Sequence, residues 1–209
     1  MALSASGFRE ARRFGPFGEL VDRYRDARAI GVDIPFGLAE GKQRDADAAA
    51  RDYLTGQASS VFSAPPREVL AAADYDEAQS ISRRLVGKGM SEQAFAIVPK
   101  IREVDAFACD DRIHEVHSEI CFKVLNDGAA LRARKKTWGG IQHRLSLLKT
   151  AGIHIPSDLG DANAVGTDDV VDAAVAAWSA RRIAEGAARR FPAEPTQRDR
   201  SGRSIVIWA

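Results

Sequence analysis

The run Ala29-Ile30-Gly31-Val32-Asp33, followed at once by Ile34-Pro35-Phe36-Gly37, constrains this chain more than any other segment. Its apolar residues suit a short buried strand, and Pro35 ends the ladder because it has no N–H to donate. The strand therefore delivers one carboxylate, Asp33, to the carboxyl rim of a sheet, where α/β proteins keep their ligands. Upstream, Phe17, Leu20, Val21 and Tyr24 recur at helical spacing, which predicts an amphipathic helix over residues 17–27. The expectation is an α/β fold, a mixed sheet flanked by helices.

Residues 40–110 change character to Ala-rich helical pieces at 44–54, 66–73, 74–86 and 91–98, with Ser91 placed to cap the last and Pro99 interrupting it. They read as a helical insertion, over about 40–110, in a single domain spanning 1–209. Residues 112–122 alternate, which predicts a strand with Glu115, His117 and Glu119 on one face. Thr137 is placed to cap a helix carrying Trp138, Ile141, Leu145 and Leu148 inward, and a helix from near Thr167 buries Val171, Val175 and Trp178. Residues 181–203 read as loose and Arg-rich, and 204–208 as a late strand.

A chain of 209 residues can bury a core without staples, and its two cysteines point to a reducing, cytoplasmic setting. No apolar run approaches the roughly 20 residues of a membrane span, and the start is not a signal peptide. The 30 Lys+Arg against 29 Asp+Glu exclude a bulk polycation, yet the charges are segregated. Every charge over residues 128–152 is basic, and every charge over 157–172 is acidic.

Two acids of the second group, Asp169 and Asp172, fall at i, i+3 in the first turns of the Thr167 helix. Acids there can simply offset the helix dipole. Clustered carboxylates also repel one another, and a hard divalent cation such as Mg²⁺ or Mn²⁺ relieves that repulsion. Asp33 is a partner ligand on that reading, or an acceptor in the Pro35–Gly37 turn on the other. Glu115 and Glu119 are either further carboxylates of the site or the wet face of an edge strand.

Cys109, His114, His117 and Cys121 invite zinc, but a strand would turn His114 away from the others, so the spacing argues against it. No nucleophile elbow, Walker loop or dinucleotide fingerprint is present. The basic run Arg132, Arg134, Lys135 and Lys136 can be a solvated face, or cations holding a polyanion beside the acids. Lys135 and Lys136 are the better candidates for the second role.

Val32-Asp33-Ile34-Pro35-Phe36-Gly37-Leu38, Arg44-Asp45, Val61-Phe62 with Pro65-Pro66-Arg67, Ser91-Glu92-Gln93, Pro99 to Asp105, Glu115 to Glu119, Lys135-Lys136-Thr137 and Asp168 to Ala173 follow one another in order. Together they resemble domain of unknown function 429, from about Ala29 to the C-terminus. That resemblance implies a ribonuclease-H-like fold and a nuclease using two divalent cations, Mg²⁺ or Mn²⁺. Asp33, Asp169 and Asp172 would be metal ligands, and Glu119 a further ligand or proton carrier. His117 would lie near the scissile phosphate, with Arg44, Lys100, Lys135 and Lys136 as substrate contacts. Ser118 stands where the family commonly has Pro.

The family also opens with a Gly-x-Asp-Gly strand. Here residues 1–4 resemble only the end of one, with 8–14 as the next strand. The first strand and its ligand are therefore expected to be missing, as in a chain begun too far downstream. The leading expectation is a divalent-metal-dependent nuclease whose nucleic-acid partner, DNA or RNA, is open. The rivals are a non-catalytic nucleic-acid-binding or interaction module of the same fold, and a nucleotide or sugar-phosphate enzyme with the insertion as a lid.

Overall fold

The computed structural model describes residues 1–131 and 133–209 and is α/β. In chain order it forms β1 (Ala2–Ser4), β2 (Gly7–Glu10), α1 (Phe17–Arg23), β3 (Ile30–Val32), α2 (Asp45–Tyr53), α3 (Tyr75–Val86), α4 (Glu92–Ala96) and α5 (Val98–Asp105). There follow β4 (Ile113–Glu115), α6 (Ser118–Leu125), α7 (Trp138–Thr150), α8 (Thr167–Ala184), β5 (Arg190–Phe191) and β6 (Ile207–Trp208). Arg132, a member of the expected basic run, lies outside the described residues. Among the described residues the strands pair in twos, as small two-stranded sheets compatible with the expected mixed α/β class. No described helix is long and apolar enough to cross a membrane.

The chain divides into two compact units. One comprises Met1–Asp33, Val116–Ala188 and Trp208–Ala209; the other comprises Ile34–Glu115 and Arg189–Ile207. The helical segment expected over 40–110 falls within the second.

In the first unit, β1 and β2 form an antiparallel hairpin, so residues 1–4 do form a strand and Phe8 lies on its partner. α8 packs on α6, α7, β3 and β1, burying Val171, Val175 and Trp178 as their spacing predicts. The contact with β3 is close at Gly31, where a Cβ would stand 2.7 Å from the Ala176 carbonyl oxygen, so any side chain would force strand and helix apart. Val116 donates its N–H to the Val32 carbonyl at 3.0 Å and bridges to Trp208 in parallel.

In the second unit, Asp74 accepts from the Glu77 N–H to cap α3, and Ser91 accepts from the Ala94 N–H to cap α4. Pro99 does not stop helical structure. It sits in the first turn of α5, where a missing N–H costs nothing. Val69, Ala72, Ala78 and Val98 form one apolar cluster, and Leu38, Ala64 and Ile101 another. Residues 181–203 are not loose: 181–184 close α8, and Arg203 donates to the carbonyls of Ala108 (2.9 Å) and Ile113 (2.6 Å) with its guanidinium over the Phe36 ring.

The strand expected over 112–122 is broken. β4 ends at Glu115, and α6 begins at Ser118 and buries five consecutive residues, Ser118 to Phe122, which alternation cannot do. Glu115, His117 and Glu119 therefore do not share a strand face. Two smaller corrections are that α1 ends at Arg23, and that Trp138, expected inside, is 77% exposed.

Candidate functional site

The first unit gathers charge at one place. Asp33 directly follows β3, and its Oδ2 accepts the backbone N–H of Ser118, the first residue of α6, at 3.3 Å. Asp33 thus holds the N-terminal end of a helix, where a carboxylate is favoured by the dipole. The next residue of α6, Glu119, is buried, and both its oxygens accept from Arg144 of α7, at 2.8 and 2.9 Å. Arg144 is itself 2% exposed, lies 5.3 Å from the Phe122 ring centre, and also donates to the carbonyls of Ala133 and Gly140.

Asp172, on α8, completes the group. Its Oδ2 accepts from the Lys135 ammonium at 2.8 Å, while its Oδ1 is buried with no hydrogen-bond partner among the described residues. Burial pushes the Asp172 carboxyl above the usual range, Lys135 pulls it back, and the charges of Asp33 and Glu119 push it further up. Burial disfavours the Lys135 ammonium, yet Asp172, Glu119 and Asp33 outweigh it and hold its pKa above that of an ordinary lysine. The Lys135 ammonium is thus bonded to Asp172 and also stabilised by the charges of Glu119 and Asp33.

The loop bearing Lys135 is set by its neighbours. Thr137 caps α7 by accepting the Gly140 N–H, as its position predicts. A Cβ on Gly140 would collide with the Arg134 carbonyl, so glycine is required for the loop to lie against the first turn of α7.

A family model described as "Protein of unknown function (DUF429)" matches residues 1–197. The chain belongs to this family. The match reaches the first residue rather than beginning near Ala29, and it ends at residue 197. No curated protein and no solved structure matches the chain.

The remaining candidates of this DUF429 protein are dispersed. Asp169 is exposed, and its carboxylate and that of Asp168 fold back over Gly166 at the start of α8: a Cβ there would stand 3.2 Å from Asp169 Oδ2 and 3.0 Å from Asp168 Oδ1. Lys136 is exposed and lies 3.7 Å from Asp168. His117, half-buried, is the residue before α6. Lys100 is exposed on α5 of the second unit.

Arg44 and Glu115 also belong to the second unit. Arg44 is 3% exposed, and its guanidinium donates to Glu115, Asp47 and the Phe36 carbonyl, which leaves it no face for a phosphate. Glu115 further accepts the Phe36 N–H. Of the two glutamates, Glu119 is the one that shares a unit with Asp33 and Asp172. Cys121 is buried in α6 with its Sγ 3.7 Å from the Trp208 carbonyl. Among the described residues no three His, Cys, Asp or Glu side chains stand close enough to hold a metal ion as they are.

Arg144 is the residue the sequence did not single out for a role. It reads as one more charge in a basic stretch, and only its helical spacing with Gly140 and Leu148, both buried, hints that it faces inward.

Proposed function

We propose that this DUF429 protein is a divalent-metal-dependent nuclease that hydrolyses phosphodiester bonds at the carboxylates of its first unit, on a ribonuclease-H-like fold. The observation that carries the reading is the Lys135 ammonium bonded to Asp172, with Asp172 Oδ1 buried and without a hydrogen-bond partner among the described residues, and with the charges of Asp33 and Glu119 acting on both. A place that holds one cation among hard oxygen donors, and has an oxygen to spare, suits Mg²⁺ or Mn²⁺. Asp33 and Asp172 would be the ligands, with Glu119 joining on release from Arg144 and Asp169 on turning from Gly166. A divalent cation there supplies Lewis acidity and a water acidified enough to attack phosphorus.

The chain's own groups have separate tasks. Lys135, released from Asp172, neutralises the phosphate next to the bond being cleaved. Lys136 and Arg134, both exposed, hold the flanking backbone. Arg144 holds Glu119 until its release to the cation, and His117, two residues before Glu119, would lie near the scissile phosphate.

A second reading, a nucleic-acid-binding module without catalysis, is favoured by the same ion pairs, because Lys135 and Arg144 already neutralise Asp172 and Glu119. Titration calorimetry with Mn²⁺ and Mg²⁺ on the chain and on Asp172→Asn separates the two. Saturable binding that the variant loses supports the nuclease. Absence of binding by both proteins, with salt-sensitive oligonucleotide binding that a chelator leaves unchanged, supports the module.

A further inference from the structure

We propose that Trp138 is a stacking platform for an unpaired nucleobase, so that this protein takes single-stranded nucleic acid along the N-terminal end of α7. The proposal rests on the nucleic-acid part of the reading above and needs no metal. It begins with a side chain in an unexpected place. Trp138 is 77% exposed, whereas Trp178 is 7% exposed and Trp208 half-buried. The buried residues of α7 are Gly140, Arg144 and Leu148, and Trp138, two positions before Gly140, is turned about 200° from it. The indole therefore has no place in the packing of its own helix.

Its surroundings specify the ligand. Arg134 and Lys136 are exposed just before it, the first turn of α7 carries no acid, and every charge over residues 128–152 is basic. A Cβ added at Gly139 would meet nothing within 4 Å, so space is open beside the indole. The loop is also pre-organised: Gly140 lets the Arg134 carbonyl rest on the helix, and Arg144 holds the Ala133 carbonyl at 3.3 Å. A flat aromatic face flanked by exposed cations matches a base and the phosphates on either side of it.

A duplex keeps its base faces stacked inside, so only an unpaired base can use this one. A membrane surface is the poorer fit, because the outer face of α7 continues with exposed Gln142, His143, Ser146 and Lys149 rather than with apolar residues.

The test is binding of the full chain, in a chelator, to labelled oligothymidylate and oligouridylate and to a duplex of equal length. Stacking quenches tryptophan emission, and Trp138→Ala should lose the quench and weaken single-strand binding between about 5-fold and about 100-fold. Duplex binding should be unchanged, and Trp138→Phe should recover part of the loss. Near-ultraviolet dichroism of Trp178 and Trp208 confirms that the variants fold. The two oligonucleotides show whether DNA, RNA or both are accepted. Equal single-strand affinity of wild type and Trp138→Ala overturns the proposal, as does failure of the wild type to bind either oligonucleotide, or Trp138-dependent binding only to anionic vesicles. If single-strand binding is insensitive to Trp138 while Mn²⁺-dependent cleavage persists, the stacking proposal alone fails. If Trp138-dependent binding is seen with neither metal binding nor cleavage, the nuclease reading alone fails.

Discussion

The ammonium of Lys135 lies 2.8 Å from a carboxylate oxygen of Asp172, 37 residues further along the chain, and that carboxylate's other oxygen is buried with no hydrogen-bond partner among the described residues. Half of the carboxylate is satisfied and half is not, in a place where Asp33 and Glu119 add further negative charge. Burying an acid in this state costs stability unless something occupies the remaining position. The pair therefore reads as one state of a cation-binding group.

Lys135 competes with any added cation for Asp172. Lys135→Met keeps most of the stem and removes the charge, and Mn²⁺ should then bind on the order of 10-fold more tightly, the equivalent of one unit of pKa in electrostatic work. Titration calorimetry measures this directly. Unchanged or weaker Mn²⁺ binding would show that the ammonium and the metal do not share a place.

Glu119 and Arg144 are both buried and bonded to each other. Arg144→Met leaves a carboxylate uncompensated and should cost about 3–5 kcal/mol in urea unfolding, whereas Arg144→Met with Glu119→Met should recover a large part of that. A double variant as unstable as the single one would mean that the loop bonds of Arg144 to Ala133 and Gly140 dominate instead.

His114 gives the second unit a pH dependence. Burial, assisted by Arg203, pushes its pKa from 6.5 down to about 4. The unfolded chain binds more protons between those values, so stability is present at neutral pH and falls as pH drops through that window. The side chain is partly exposed, and solvent screening reduces the loss to about 1–2 kcal/mol. The raised carboxyl of Asp172 acts with the opposite sign. The comparison is therefore of wild type with His114→Gln at pH 7 and pH 4.5; an identical pH dependence in both would contradict the assignment.

The two cysteines should differ in reactivity. Cys109 is exposed, while burial pushes the Cys121 thiol up to about 12. Because the thiolate is the nucleophile, a thiol reagent should label one cysteine in the native protein and both after unfolding. Rapid native labelling of both would place Cys121 outside the core.

What was readable in advance rests on local rules. Ser91 and Thr137 cap their helices because a side-chain oxygen before an apolar run satisfies an amide that the helix cannot. Val171, Val175 and Trp178 face inward because their spacing follows the helical turn. The same rules misplace Glu119. Residues 112–122 satisfy alternation as written, and the break at Ser118 follows only once Ile120, Cys121 and Phe122 are all buried.

By itself, then, the sequence determined most of the helices outside α6, where several of them start, and that Asp33 follows β3. Tertiary structure alone decided that Asp33, Glu119 and Asp172 share the first unit, that Glu115 and Arg44 are spent within the second, that Arg144 is buried, and that Trp138 faces solvent. Backbone periodicity reports the nearest few residues. The fate of a charge depends on which partner meets it when water is removed, and those partners are distant in the chain.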